Sequence, residues 1–199
     1  ESKYSCPTCL LKERKEGKKP SPKSTHPTAE DLSRTKLSEC LELHVTRKID
    51  EKLRQLAEEK AHANKISIEE AMKAIDPGGK ITIRQVTSEE KKVEVREKMR
   101  ARYAHKNYPK EFPYRSKCML VFQNLDGVDL VLFAVYLYEH GENSPAPNHR
   151  SLYISYLDSV YYMRPRNLRT FVYHEILIAY LDDARKRKFS TAHIWACPP

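Results

Sequence analysis

The apolar residues near the start of the chain are spaced as on one face of a long helix. Leu37, Leu41, Val45, Ile49, Leu53 and Leu56 recur at intervals of three and four residues. Thr35 is a suitable N-cap, and we expect this helix to end near Asn64. The segment Ser67-Ile68-Glu69-Glu70 has the form of a capping box. It predicts a second, short helix that ends near Ile75, before Pro77-Gly78-Gly79.

The hydrophobic period changes from helical spacing to alternation after Gly79. Ile81, Ile83 and Val86 predict one short strand, and Val93 with Val95 predicts another. Two apolar runs, residues 117–122 and 128–138, flank the two-residue turn signal Asp126-Gly127. They predict a β-hairpin.

The last 60 residues contain a strand, a helix and a further strand. A Pro-containing loop at residues 143–148 precedes an expected strand at 152–157. Residues 168–187 predict a helix with a wide apolar face, and residues 192–196 predict a buried strand before Pro198-Pro199. The whole order indicates an α/β fold, with a mixed, largely antiparallel sheet packed by helices and one strand–helix–strand crossover.

Composition is consistent with one folded domain plus appendages. The chain has 199 residues, of which 40% are hydrophobic, and this excludes a wholly disordered protein. Its net charge is +9. No apolar run approaches the roughly 18 residues of a membrane span, so we expect no membrane partner. The chain lacks a signal peptide and an initiator Met, and we expect it to be a piece of a longer protein whose domain continues beyond Pro199.

Several nucleotide and hydrolase motifs are excluded. The five glycines are too far apart to form a Walker-type phosphate loop or a dinucleotide-binding fingerprint. His174-Glu175 is not followed by the second histidine of a zinc protease motif. No G-x-S-x-G nucleophile elbow is present.

The densest candidate chemistry lies between the strand at 152–157 and the following helix. Leu157-Asp158-Ser159 stands where the strand ends, and sheets of this class bind ligands at strand ends. Arg169-Thr170 falls in the first turn of the helix, where unpaired N–H groups and the helix dipole favour an anion. A cation there needs an anionic partner. The residues alone leave open whether Arg169 binds a phosphate-bearing ligand or pairs with Asp158 or another carboxylate.

Several blocks of the sequence resemble the acetyltransferase domain of CREB-binding-protein-type histone acetyltransferases, especially those of plants. They are residues 153–160 (YISYLDSV), 164–165 (RP), 168–178 (LRTFVYHEILI), 193–199 (HIWACPP), 112–117 (FPYRSK) and 125–129 (LDGVD). The similarity runs from about Asp31 to the end. It implies a GNAT-like acetyltransferase core, incomplete at the C-terminus, that transfers acetyl from acetyl-CoA to lysines of histones.

The resemblance also implies roles for individual residues. Leu157, Asp158 and Ser159 match contacts to acetyl-CoA, and Arg169 and Thr170 match residues that hold its phosphate-bearing arm. Ser155 and Tyr156, with Asp158, match the lysine entry side. Trp195 matches an aromatic wall beside the reacting groups, and Cys197 matches a cysteine near that pocket. The tyrosine that donates a proton in the family lies downstream of the W-A-C-P-P block, so we expect this chain to be inactive by itself.

Residues 1–28 are expected to be the end of a zinc finger and a linker, with residues 29–199 forming the N-terminal part of the acetyltransferase domain. Cys6 and Cys9 have zinc-ligand spacing, but a tetrahedral site needs four ligands. The segment resembles the last zinc knuckle of a PHD finger. That implies zinc bound by Cys6 and Cys9 with further ligands upstream of Glu1.

The partners implied by the resemblance are histones, other nuclear proteins and transcription factors, with a nuclear location and no sequence-specific DNA binding. The alternatives are a non-catalytic, zinc-finger-linked module that binds chromatin or nucleic acid, and a paralogue that binds CoA without turnover.

Simpler interpretations hold for other residues. Cys40 and Cys118 are expected to be packed thiols and His174 a hydrogen-bonded structural histidine, and Trp195 alone would suggest core packing.

Overall fold

The computed structural model describes residues 28–196. Its helices are α1 (Lys36–Asn64), α2 (Ile68–Lys73), α3 (Glu97–Arg102) and α4 (Arg169–Lys186). Its strands are β1 (Ile81–Glu94), β2 (Glu111–Leu125), β3 (Val128–His140), β4 (Ser151–Ser159) and β5 (Thr191–Ile194). Short 3-10 turns occupy Ala29–Asp31, Ala104–Lys106 and Arg166–Leu168. The predicted α/β fold is confirmed.

The five strands form one sheet in the order of the sequence, β1-β2-β3-β4-β5. The first three pairings are antiparallel, and β4 pairs with β5 in parallel. Because parallel neighbours need a crossover connection, α4 links them. The hairpin predicted around Asp126-Gly127 is present, with Leu125 paired to Val128.

Local sequence determines where α1 begins. The Thr35 hydroxyl accepts a hydrogen bond from the Ser38 N–H (3.1 Å), and the Ser38 hydroxyl oxygen accepts one from the Thr35 N–H (2.9 Å). These reciprocal bonds satisfy donors that the first helical turn leaves unpaired. The helix ends at Asn64, before Lys65 in the left-handed conformation (φ 55°). Both ends agree with the prediction.

Helices α1 and α4 cover one face of the sheet, here called the helix-covered face. Its buried side chains come from alternate strand positions and meet apolar positions of both helices. They include Ile83, Val121, Val135, Leu137 and Ile154 of the sheet and Leu41, Val45, Val172 and Ile176 of the helices. Burial of this one face holds the layers together. No helix within residues 28–196 is long and apolar enough to span a membrane.

The prediction of two short strands at residues 81–86 and 93–95 is wrong, because β1 is continuous from Ile81 to Glu94. Its second half is exposed and polar, so it has no hydrophobic alternation. Pairing with β2 continues to Glu94 and Glu111, across a bulge between Gln85 and Thr87. The pairing partner, rather than the local pattern, therefore extends the strand.

The closing strand was expected to be buried, and this is wrong. All four residues of β5 are exposed, because β4 is the only strand that pairs with β5 among residues 28–196. Cys40 is also exposed, not packed, whereas Cys118 is buried as expected. Helix α3 was not predicted, since its six residues carry no apolar period.

Candidate functional site

A β-bulge rearranges β4 at the predicted site. Leu137 pairs with Ile154, but the next residue back along β3, Tyr136, pairs with Tyr156. Ser155 is therefore the extra residue of the bulge. Without it, strict alternation would place Tyr156 on the same face as Ile154, against the helices. The bulge moves Tyr156 to the opposite face, where its side chain is 62% exposed.

The bulge divides the predicted residues between the two faces of β4. Leu157 pairs with Val135 and Ser159 with Phe133, so both lie on the helix-covered face. Asp158 pairs with Ala134 and shares the opposite face with Tyr156. Leu157, Asp158 and Ser159 are all exposed, whereas Ser155 is buried. The end of β4 thus presents groups to both sides of the sheet.

The described β5 stops well before the end of β4. Their pairing ends at Ile154 and Ile194, followed by one bond from the Trp195 N–H to the Ile154 carbonyl (3.0 Å). From Ser155 to Ser159, β4 has no strand on its β5 side within residues 28–196. That edge of β4 offers backbone donors and acceptors to an extended ligand.

Three aromatic rings form a run on the opposite face. The Tyr156 ring lies 6.3 Å from the Trp195 ring and 6.4 Å, edge to face, from the Tyr136 ring. Trp195 is 51% exposed, so it is not the core residue that its type alone suggested. The three rings border the end of β4 with apolar surface that an incoming side chain can contact.

The connection between β4 and α4 is fixed by buried polar groups. The Tyr173 hydroxyl lies 3.0 Å from the Val160 carbonyl oxygen and 3.2 Å from that of Leu132. Its ring stacks on Phe133 at 5.1 Å. The fully buried Gln123 side chain donates to the Arg164 carbonyl and accepts from the Arg164 N–H (3.1 Å). These contacts hold the connection in one conformation.

Helix α4 begins at Arg169 without a capping side chain. Its N-cap position is Leu168, and its first turn contains no acidic residue. Arg169 is half-buried and Thr170 exposed, and within residues 28–196 Arg169 forms no ion pair with Asp158 or any other carboxylate. Burial raises the pKa of the Tyr173 hydroxyl, and the charge of nearby Arg169 opposes that shift. The Arg169 N–H donates to the Arg166 carbonyl of the preceding 3-10 turn. The first turn of α4 therefore contains a guanidinium without a partner carboxylate in the described part of the chain, and a cation at this end of a helix favours an anionic ligand.

A buried ionic network holds the other end of α4 to the sheet. Glu139 of β3 accepts from the Lys117 ammonium (2.9 Å), the Tyr180 hydroxyl (2.5 Å) and the Arg187 guanidinium (2.7 Å). Burial opposes ionisation, but Arg187 and Lys117 hold the pKa of Glu139 below its usual value. Burial and the neighbouring carboxylate raise the pKa of Tyr180. The helix that carries Arg169 is thus anchored at both ends.

Several other residues singled out from the sequence are not part of this arrangement. Cys6, Cys9 and Cys197 lie outside the described residues, and within residues 28–196 no group of three or more His, Cys, Asp or Glu side chains could hold a metal ion. The His174 side chain is exposed and forms no hydrogen bond to residues 28–196, so the expectation of a hydrogen-bonded structural histidine is wrong. Sequence reasoning did not assign Gln123 a role. The available signal was an amide side chain directly after the apolar residues 119–122 of a predicted strand.

The sequence matches a known protein family. Residues 68–199 match the family model for the KAT3 histone acetyltransferase domain. The fold and the open end of β4 agree with an acetyltransferase-like core. The chain belongs to the KAT3 histone acetyltransferase domain family.

Individual relatives agree with this assignment. The whole chain is 42% identical over 208 residues to the probable histone acetyltransferase HAC-like 1 of Oryza sativa subsp. japonica, covering 12% of that protein. It is 41% identical over 207 residues to histone acetyltransferase HAC4 of Arabidopsis thaliana, covering 14%. Protein cbp-1 of Caenorhabditis elegans is 46% identical over 60% of this chain, which corresponds to 6% of that protein. The chain therefore spans a small part of the relatives it matches.

Proposed function

We propose that the protein is a lysine acetyltransferase that uses acetyl-CoA and acts on histones in the nucleus. The observation that carries the proposal is the first turn of α4, which has no side-chain cap and contains Arg169 without an ion pair to any residue between 28 and 196. Acetyl-CoA carries a diphosphate and a further phosphate, and a guanidinium without a partner carboxylate at the start of a helix is suited to bind such an anion. The names of the plant relatives support the same activity.

The residues at the end of β4 fit the rest of the ligand. Bound acetyl-CoA supplies an activated acetyl thioester. Its arm contains amide groups, which can pair with the backbone of Ser155 to Ser159, where β4 lacks a described neighbour on one side. Thr170, Leu157 and Ser159 border the path from that edge to α4. Their exposure leaves them available for contact.

The aromatic run suits the approach of a lysine substrate. Transfer forms a C–N bond to the lysine amine and breaks the C–S bond, and the amine proton leaves with the thiol. The amine must therefore be neutral before it attacks. Tyr156, Trp195 and Tyr136 offer apolar surface along one side of the approaching amine, and contact with such surface lowers an amine pKa by desolvation. We assign Ser155, Tyr156 and Asp158 to the lysine side of the site, and Asp158 provides a negative charge that attracts a basic segment.

Titration calorimetry with acetyl-CoA tests the proposal. It uses the longest natural form of the protein that contains these residues. Arg169→Glu is expected to weaken binding at least tenfold, because it replaces the phosphate partner with a repelling charge. Arg54→Glu is the matched control, since Arg54 is exposed on α1 and changes net charge equally. Equal affinities for both variants, or no acetyl-CoA binding by the unchanged protein, would contradict the proposal.

An activity assay separates catalysis from binding alone. Acetyl-lysine formation on histone peptides is expected with the unchanged protein and is expected to fall with Trp195→Ala, while acetyl-CoA affinity changes little. Binding without turnover in the unchanged protein would instead favour a non-catalytic paralogue.

Zinc binding by Cys6 and Cys9, with ligands from a preceding segment, remains a prediction that metal analysis of the same protein tests.

A further inference from the structure

The connection between β1 and β2 is strongly basic. We call residues 96–110 the basic tip. It contains α3, the 3-10 turn Ala104–Lys106 and six Arg or Lys residues against one acidic residue, Glu97. The six are Arg96, Lys98, Arg100, Arg102, Lys106 and Lys110. A bond from the Val95 N–H to the Lys110 carbonyl (2.8 Å) closes the base of the tip.

The positive charge of the basic tip is not neutralised by the protein. All six cations are exposed, and none forms an ion pair with any residue in the described part of the chain. In the adjoining strands, by contrast, cations form ion pairs. Lys91 pairs with Glu89 (2.9 Å), Lys92 with Glu111 (2.5 Å) and Arg115 with Glu90. Unpaired cations are therefore concentrated in the tip and are available to an external anion.

Helical spacing arranges these cations in two short rows. Lys98 and Arg102 are four residues apart in α3 and therefore lie on one side of the helix. Arg96, the N-cap residue, precedes Arg100 by four residues. The Arg102 guanidinium lies 5.8 Å from the Tyr103 ring centre, and Tyr103 packs 6.5 Å from Tyr108. Both tyrosines contact each other and are 38% exposed, so they share the surface of the tip with the charged groups.

The basic tip is remote from the candidate acetyl-CoA site. The basic tip adjoins Glu94 of β1 and Glu111 of β2, which pair with each other. The candidate site adjoins Phe133 of β3, which pairs with Val121 of β2. Ten residues of β2 separate these two positions, a distance of about 33 Å along the strand. A ligand of the tip therefore need not touch the catalytic end of the sheet.

We propose that the basic tip binds the phosphate backbone of duplex DNA without sequence preference. Two rows of arginine and lysine match a regular array of phosphates, which such side chains contact without reading bases. An acidic peptide helix is less suited, because such helices anchor apolar side chains in a groove, whereas the tip presents six exposed cations. Single-stranded nucleic acid stacks its bases on aromatic platforms, whereas Tyr103 and Tyr108 are only 38% exposed and are tilted against each other, so phosphate contacts from the cations dominate this surface.

Fluorescence anisotropy with a labelled, mixed-sequence 20-base-pair duplex tests the proposal across a salt series. Arg100→Gln combined with Arg102→Gln is expected to weaken binding at least tenfold at low salt. It should also make the slope of log affinity against log salt shallower by about 2, one unit for each lost contact. The control combines Arg54→Gln with Lys73→Gln, two exposed cations without ion pairs, and should change affinity less than twofold.

A second measurement needs no variant. Acylation of surface lysines in the presence of the duplex is expected to spare Lys98, Lys106 and Lys110 but not Lys73. The proposal is overturned if the control variant loses as much affinity as the tip variant, or if the duplex protects none of the three lysines. Tighter binding of a polyglutamate peptide or of single-stranded RNA of equal charge would also overturn it. Acetyl-CoA affinity should be the same in all variants, so this result is independent of the proposed activity.

Discussion

The Tyr173 hydroxyl of α4 lies 3.0 Å from the carbonyl oxygen of Val160, the residue that follows β4. The same hydroxyl is 3.2 Å from the Leu132 carbonyl, which also accepts the Val160 N–H at 3.1 Å. One side chain therefore connects β3, the end of β4 and the helix that carries Arg169. The spacing between Ser159 and Arg169 depends on this junction.

Tyr173→Phe is expected to loosen the junction without disrupting the core. The ring can still stack on Phe133, but the hydrogen bond to Val160 is lost, at a cost of about 1 kcal/mol in the free energy of unfolding. Acetyl-CoA affinity should fall several-fold. Tyr114→Phe is the control, because its hydroxyl forms no hydrogen bond within residues 28–196 and lies at the other end of the sheet. Calorimetry and thermal unfolding measure both effects, and unchanged affinity would contradict a positioning role for Tyr173.

Gln123→Met removes the second attachment of the same connection. Methionine has a similar length, but it leaves the Arg164 N–H and carbonyl without their buried partner. We expect a loss of about 1–3 kcal/mol in unfolding free energy, measured by denaturant titration. Gln55→Met, at an exposed position of α1, should stay within about 0.5 kcal/mol. A similarly small effect at Gln123 would show that the amide contributes little.

Much of the fold could be predicted because its signals are local. The helical period of α1, its Thr35 cap and the Asp126-Gly127 turn are contained in short segments. The bulge at Ser155 could not be predicted, since it depends on the register of β4 against β3. At the candidate site, the end of β4 and the start of α4 could be predicted from the sequence. The face on which Tyr156 lies, and the support from Gln123, depended on distant residues.

The ionic network at the far end of α4 predicts a pH-dependent stability. The folded protein holds the pKa of Glu139 below its ordinary value, so this carboxylate stabilises the fold above about pH 4.5. That contribution is lost as the pH falls through the lower, folded-state pKa. Glu139→Gln should lower the unfolding free energy by about 3 kcal/mol at pH 7, because Arg187 and Lys117 lose their buried anion.

The difference between Glu139→Gln and the unchanged protein should shrink in acid. Thermal unfolding between pH 3 and pH 7 measures it. The matched control is Glu142→Gln, which removes a largely exposed carboxylate paired with Arg150 and should change stability by less than about 1 kcal/mol. A pH-independent difference at Glu139 would show that its ionisation does not contribute to the network.

Two glycines provide a matched pair for testing the turn before β1. A Cβ added at Gly79 would lie 1.6 Å from the Asn124 carbonyl oxygen, and the Asn124 N–H donates to the Lys80 carbonyl at 2.9 Å. The turn cannot move away without breaking the first β1–β2 contacts. Gly79→Ala should therefore lower the unfolding free energy by about 3 kcal/mol or more. Gly141→Ala, where no atom lies within 4 Å, should change it by no more than about 0.5 kcal/mol. Equal effects in thermal unfolding would refute the close packing of Gly79 against β2.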